Sequence, residues 1–167
     1  MQFLDARRLT GPSLLFDTHG SVLDIACSDV EAGRLVPAWK QHVERMLAEL
    51  GWSDVEFATA KLVGGVSLGF TAPLDALYAA SAINEWAWAA CDQELNGTDA
   101  PEFSAALAEI RDAIAEEANP ALIELEAQAA ANGVTMLWDH DEVSLGLGRH
   151  SQTWPVRELP EPHSLDW

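Results

Sequence analysis

The longest apolar stretch of the chain lies at residues 71–95, and its pattern predicts a buried helix. Residues 76–91 contain one charged side chain, Glu85, and neither glycine nor proline. Thr71 is a suitable N-cap residue for such a helix. At about 100° per residue, apolar side chains fall on nearly all sides. The apolar run is shorter than the ~20 residues that cross a bilayer, so we expect a core helix.

Glu85 is the unusual residue of this helix. The helical spacing predicts that it projects from the same face as Leu74, Tyr78 and Trp88. A carboxylate on such a face must be paired, hydrogen-bonded or protonated. Glu85 is therefore either a structural group that holds the helix to a backbone N–H or an arginine, or a functional group in a cleft.

Three pairs of short apolar segments predict β-hairpins. They are residues 14–16 with 22–25, residues 55–63 with 66–70, and residues 134–138 with 143–147. Gly64 and Gly65 suit the turn of the second hairpin. The third hairpin has an acidic tip at residues 139–142.

Three further segments have helical spacing. Residues 28–51 begin with a capping-box pattern, Ser28 and Glu31, and end at a glycine. Pro37 lies inside this segment and predicts a kink or two abutting helices. Residues 103–118 form an amphipathic pattern, and Asn119 with Pro120 begins another helix that closes at residues 132–133.

The order of these elements predicts an α+β fold, with antiparallel hairpins packed on a central buried helix and additional amphipathic helices. We expect a single domain at residues 1–148. Residues 149–167 contain three prolines and two tryptophans without clear periodicity, which is typical of a linker. A tryptophan at the last position suggests that the natural chain continues towards another domain, although a docked tail fits equally well.

Charge narrows the classes of partner. The chain has 9 basic and 27 acidic residues, a net charge of −18. Nucleic-acid binding requires lysine and arginine contacts to phosphate, so the composition argues against it and against anionic membrane surfaces. It permits a cationic partner, or it simply gives a well-solvated surface. Two cysteines and no signal-peptide pattern lead us to expect a cytoplasmic location.

Few residues in the sequence indicate catalysis, metal binding or ligand binding. The chain has no phosphate-binding loop, no dinucleotide motif and no Gly-x-Ser-x-Gly elbow. The tip at residues 139–142 has metal-ligand chemistry, but neighbouring strand residues point to alternate sides. Turn hydrogen bonds explain Asp139 and Asp141 equally well. Four scarce cations could each pair with an internal carboxylate, including Glu85, or bind an anionic ligand: Arg7, Arg8, Arg149 and Arg157.

Residues 7–13, Arg-Arg-Leu-Thr-Gly-Pro-Ser, resemble the Arg-x-Leu-x-Gly-Pro-Asn opening of cyanophycin synthetases, with Ser13 in place of asparagine. The Gly-Gly turn, the buried helix, residues 138–148 and the ending Leu-Asp-Trp are similar to the N-terminal segment of related bacterial Mur-ligase-type proteins. The resemblance covers most of the chain but none of the ligase. It implies an accessory domain that holds a cationic or zwitterionic peptide polymer. ATP and magnesium would then belong to an attached ligase domain, and this chain would need no cofactor.

Some cyanophycin synthetases carry a His-x-x-Glu-His helix suggestive of metal-dependent hydrolysis. Aligned with this chain, its glutamate falls at Glu85 and its histidines at Ala82 and Trp86. Both imidazole ligands are missing, so the resemblance does not extend to that activity.

Three hypotheses follow from the sequence. The chain is a non-catalytic substrate-binding or scaffolding domain of a Mur-ligase-like peptide ligase, a small metal-dependent hydrolase that uses Glu85 or the tip at residues 139–142, or a structural docking or oligomerisation domain. No catalytic or metal-binding residue is assigned. The candidate ligand-binding residues are Arg7, Arg8, Asn84, Glu85, Trp88, Asp139, Asp141 and Arg149.

Overall fold

The structure, a computed structural model, describes all 167 residues. The chain forms two compact units, Met1–Glu117 and Ala118–Trp167. The boundary at residue 148 that the composition of the tail predicts does not coincide with this division. Both units combine helices with antiparallel strands, so the predicted α+β class is confirmed. No helix combines the length and the apolar character that a membrane span requires.

A four-stranded antiparallel sheet is the first layer of the first unit. Its strands are β1 (Gln2–Leu9), β2 (Gly20–Ala26), β3 (Phe57–Leu62) and β4 (Gly65–Thr71), in the spatial order β1-β2-β4-β3. The pairing of β3 with β4 confirms the second predicted hairpin. The first predicted hairpin, residues 14–16 with 22–25, does not form. Strand β2, which contains residues 22–25, pairs with β1 instead.

The predicted strand at residues 14–16 is wrong. This segment is a turn in which the Ser13 hydroxyl oxygen accepts hydrogen bonds from the backbone N–H groups of Leu15 (3.1 Å) and Phe16 (3.2 Å). Phe16 is buried against Gly69 of β4, where a Cβ atom would come within 3.0 Å of the ring. Phe16 thus anchors this loop in the core, whereas Leu14 in the same loop is fully exposed.

Helix α1 (Asp29–Leu50) begins as its sequence predicts. Ser28 and Glu31 form both halves of the capping box, and Gly51 ends the helix in the left-handed conformation, with a φ of 74°. Pro37 does not divide the segment into two helices, since α1 is one continuous helix. Its buried face comprises Leu35, Trp39, Val43, Met46 and Leu47.

Helix α2 (Leu77–Asn96) is the centre of the first unit. It packs against α1, β1, β2 and the following helix, α3 (Phe103–Glu117). Thr71 is not its N-cap, because Thr71 ends β4 and its hydroxyl oxygen accepts from the backbone N–H of Glu56 at 2.9 Å. A separate 3₁₀ turn at Leu74–Ala76 precedes α2. The predicted burial of the helix is nevertheless confirmed.

The second unit contains one helix and a three-stranded sheet. Helix α4 (Pro120–Ala131) is followed by β5 (Met136–Trp138), β6 (Glu142–Leu145) and β7 (Gln152–Pro155), which pair antiparallel in that order. The third predicted hairpin, β5 with β6, is confirmed. The segment predicted as a linker supplies β7, which pairs with β6.

Candidate functional site

Arg7 is engaged within the protein. Residues directly opposite in an antiparallel sheet share a face, so Arg7 lies with Val22 on the face away from Arg8 and its partner Ser21. The guanidinium of Arg7 donates to Asp5 at 3.0 Å and also to Asp24, whose other oxygen accepts from the Ser67 hydroxyl. Arg7 therefore pairs with internal carboxylates, as predicted, but these belong to Asp5 and Asp24 and not to Glu85.

Arg8 lies on the helix side of the sheet. Its guanidinium carbon is 3.7 Å from the ring centroid of Tyr78, a cation–π contact at the start of α2. Glu117 caps the same helix end, accepting from the backbone N–H groups of Tyr78 (2.8 Å) and Ala79 (2.6 Å). Burial raises the pKa of Glu117, and its backbone hydrogen bonds oppose part of that effect. Arg8 and Glu117 thus stabilise the beginning of α2.

Asn84 belongs to the core of the first unit. It is completely buried, and its side-chain oxygen accepts from Nε1 of Trp39 at 2.9 Å. Its amide nitrogen donates to the Ser21 hydroxyl at 2.9 Å. The network joins α1, α2 and β2, so its satisfied polar groups fix the register of these three elements.

Glu85 is exposed, which corrects the prediction that it lies on a buried face. The prediction placed Leu74 on the same helical wheel, but Leu74 belongs to the 3₁₀ turn, and the non-helical φ and ψ of Asp75 shift the phase of α2. Tyr78, from the supposed buried face, is 45% exposed. Trp88 is half-buried and does not line a cavity with Glu85.

A shallow groove between α2 and α3 contains Glu85. It has a volume of about 280 Å³, and Glu109 of α3 supplies a second carboxylate. The other side chains that line it are apolar: Ala82, Trp86, Ala89, Pro101, Ala106 and Ile110. We call these eight residues the α2–α3 groove.

The apolar surface of the α2–α3 groove is firmly held. The indole N–H of Trp86 donates to the carbonyl oxygen of Pro101 at 3.2 Å, and the Trp86 and Phe103 rings pack with their centroids 5.4 Å apart. The guanidinium of Arg45 lies 3.8 Å from the centre of the Phe103 ring. The alanines of both helices leave the space that the groove occupies.

The chemistry of the α2–α3 groove suits a basic side chain. Glu85 and Glu109 form no hydrogen bond or ion pair within the protein. An alkyl stem can lie on the alanine and isoleucine side chains while a terminal cation meets the carboxylates. Its volume, slightly below that of typical small-molecule pockets, fits one side chain of a larger ligand.

Within the tip of the third hairpin, the side chain of Asp139 is accounted for by its own turn. Oδ1 of Asp139 accepts from the backbone N–H groups of Asp141 and Glu142, both at 2.9 Å, and these bonds lower the pKa of Asp139. Arg149 donates from Nε to Nε2 of His150 at 3.1 Å. No group of three His, Cys, Asp or Glu side chains is arranged to hold a metal ion.

Of the predicted ligand-binding residues, only Glu85 lies in the α2–α3 groove. Its counterpart Glu109 was not predicted, because it occupies the solvent face of an amphipathic helix where any glutamate is expected. Alanines at positions 82, 89 and 106 were the available signal, since small residues on packed helices leave grooves. No protein-family model matches the chain, and no curated protein matches it significantly.

Proposed function

We propose that this chain is a non-catalytic binding or scaffolding domain of a Mur-ligase-like, ATP-dependent peptide ligase, and that its α2–α3 groove receives a basic side chain of a peptide polymer. The observation that carries the binding role is the pair of carboxylates, Glu85 and Glu109, beside an apolar surface. Both lack a partner within the protein. Exposed carboxylates without internal partners retain their full capacity for a cationic ligand.

The overall charge supports the same role. With 27 acidic and 9 basic residues, pairing one carboxylate with each lysine or arginine would leave 18 carboxylates without such a partner. Several of the cations are already used, as in the ion pairs Lys61–Asp29 (2.7 Å) and Lys40–Glu44 (3.7 Å). A field of this sign attracts cationic ligands over several ångströms and weakens with salt.

The assignment to a ligase rests on the resemblance of residues 7–13 to the opening of cyanophycin synthetases, and of the Gly-Gly turn, the buried helix and residues 138–148 to related Mur-ligase-type proteins. ATP and magnesium would bind the ligase domain, which would be the second partner of this chain. The two roles are compatible, because a domain that retains a polymer near a catalytic domain raises its effective concentration there.

Calorimetry of the whole chain with a soluble Asp–Arg oligomer tests the proposal. We expect binding that weakens with salt, and about two- to fivefold weaker binding for each of Glu85→Gln and Glu109→Gln, the range for exposed ion pairs. Glu116→Gln, also on α3 but outside the α2–α3 groove, removes the same charge and is the matched control. Equal losses in all three variants, or no heat with the parent chain, would refute the proposed site.

A docking or oligomerisation role is the second candidate, because one end of the first unit exposes several large apolar side chains. Strand pairing brings the start of β1, the end of β2 and the turn between β3 and β4 together there. The exposed side chains are Phe3 (39%), Leu4 (53%), Val30 (78%) and Val63 (109%). Light scattering of the chain, alone and with a ligase domain, distinguishes docking or self-association from peptide binding. Val63→Glu would weaken protein–protein association but would leave binding of the Asp–Arg peptide unchanged.

A further inference from the structure

A cavity of about 420 Å³ lies where three loops of the first unit meet. The loops precede β2, connect α1 to β3 and follow β4. We call it the Trp52 cleft, and the lining residues used below are Thr18, Trp52, Asp54, Val55, Thr71 and Pro73. Trp52 and Val55 also line a second cavity of about 550 Å³. The Trp52 cleft shares no residue with the α2–α3 groove.

The Trp52 cleft contains hydrogen-bond donors that the protein does not use. Thr71 is only 7% exposed, and its hydroxyl oxygen accepts from the backbone N–H of Glu56, but no acceptor in the protein receives its proton. The indole N–H of Trp52 and the hydroxyl of Thr18 also have no hydrogen-bond partner in the protein. A hydroxyl that only accepts leaves its donor unsatisfied, which is costly at a buried position. The cleft therefore suits a ligand that brings acceptors.

Charge around the Trp52 cleft disfavours an anion as that ligand. Asp54 lines the cavity, and α1 ends at Gly51, which also lines it. The C-terminal end of a helix carries a partial negative charge. Asp54 accepts one hydrogen bond, from Ser53 at 3.3 Å, and retains further acceptor capacity.

The remaining lining combines flat and apolar surface. The half-buried Trp52 lines the cleft together with Val55 and Pro73. His19 is held by the protein itself, since its Nδ1 contacts the carbonyl oxygen of Ala72, and it has no part in the inference. An aromatic plane, unused donors and one carboxylate acceptor together match a molecule with an apolar face and many hydroxyl groups.

We propose that the Trp52 cleft is a binding site for a neutral saccharide. The C–H face of a sugar ring packs on the Trp52 indole, and sugar oxygens accept from Thr18, Trp52 and Thr71. Asp54 accepts from a sugar hydroxyl. This site goes beyond the peptide-binding role proposed above and does not depend on it.

Nuclear magnetic resonance of the ¹⁵N-labelled chain tests the site directly. The probes are the methyl glycosides of glucose, galactose, mannose and N-acetylglucosamine, with methyl glucuronide as an anionic control. We expect at least one neutral glycoside to give saturable shifts of the Trp52 indole N–H and of the Thr18 and Thr71 amides, and we expect the glucuronide to give none. Absence of shifts with all four neutral glycosides, or equal binding of the glucuronide, would overturn the proposal.

Two variants locate the binding. Trp52→Ala should weaken the neutral glycoside roughly tenfold, and Thr18→Val about threefold, as expected for an aromatic contact and for one hydrogen bond. Thr59→Val, an exposed threonine of β3, and Trp154→Ala, in the second unit, are the matched controls. Thr18 lies in a surface loop, so its variant remains informative even if Trp52→Ala unfolds. Unchanged glycoside affinity in both single variants, Thr18→Val and Trp52→Ala, would contradict binding at the Trp52 cleft. Equal losses of affinity in the two control variants would contradict it as well.

Discussion

Removal of the Asn84 side chain should destabilise the first unit more than any exposed substitution. Asn84 is the acceptor for the buried indole N–H of Trp39 and a donor to Ser21. In Asn84→Ala, Trp39 retains a buried N–H without an acceptor, at a cost of about 1–3 kcal/mol. Loss of the second hydrogen bond adds about 0.5–1.5 kcal/mol, since the Ser21 hydroxyl keeps a contact to the carbonyl oxygen of Arg7 at 3.5 Å. The total, roughly 1.5–4.5 kcal/mol, is a large part of a typical domain stability.

Urea unfolding of the whole chain, followed by hydrogen exchange of the α1 and α2 amides, measures this loss in the first unit. Ser81→Ala is the control, because the Ser81 hydroxyl lies 3.3 Å from that of Ser21 at the edge of the network, and we expect it to cost less than about 1 kcal/mol. Adding Trp39→Phe to Asn84→Ala should cost less than Trp39→Phe alone, because the unsatisfied donor is then absent. Strictly additive losses, or a loss below about 1 kcal/mol for Asn84→Ala, would refute this account of the core.

Three further predictions concern titratable groups. Glu117→Ala removes the carboxylate that caps α2 and should lower stability to urea by about 1–2 kcal/mol, whereas an unchanged midpoint would contradict the capping role. The pKa of Glu31 is lowered from 4.5 to about 2 by backbone and side-chain hydrogen bonds from Ser28. The contribution of Glu31 to folding stability is therefore present above pH 4.5 and is lost as the pH falls towards 2. Glu31→Gln should flatten the pH dependence of the melting temperature between these pH values. Parallel curves for the variant and the parent chain would contradict this prediction. Burial raises the pKa of the Cys91 thiol to about 12, so a thiol reagent should modify Cys27 first in the folded chain, and faster reaction of Cys91 would show that α2 is not buried.

Local signals in the sequence were sufficient for most of the helices. The ends of α1 follow from Ser28, Glu31 and Gly51, and Asn119 begins α4 by accepting from the backbone N–H of Leu122 at 3.1 Å. These features depend on residues close in the chain, so sequence spacing alone reveals them. The hairpins β3–β4 and β5–β6 are likewise joined by short turns with recognisable residues.

Strands at sheet edges were harder to predict. Strand β1 carries Asp5, Arg7 and Arg8 among apolar residues, and a register shift lies between Phe3 and Asp5, so its alternation is lost. Edge strands commonly carry charges, which removes the contrast between their two faces. β7 has only one half-buried side chain, Trp154, and its pairing with β6 depends on residues distant from it in sequence.

The position of Glu85 could not be predicted because α2 is apolar on nearly every side. Such a helix gives only a weak periodic signal, so the sequence does not indicate which of its faces is exposed. Leu74 lies outside the helix, in the 3₁₀ turn, and Tyr78, which shares the face of Glu85, is largely exposed. Glu85 was therefore chosen as a candidate because a buried position was expected for it. The structure places it instead in the exposed α2–α3 groove.

The most direct test of the binding proposal is to map where an Asp–Arg oligomer contacts the ¹⁵N-labelled chain. We expect saturable shifts concentrated at Ala82, Glu85, Ala89, Ala106 and Glu109, and their loss in the doubly substituted Glu85→Gln and Glu109→Gln chain. Shifts spread evenly over the acidic surface, or a map unchanged by the two substitutions, would contradict it.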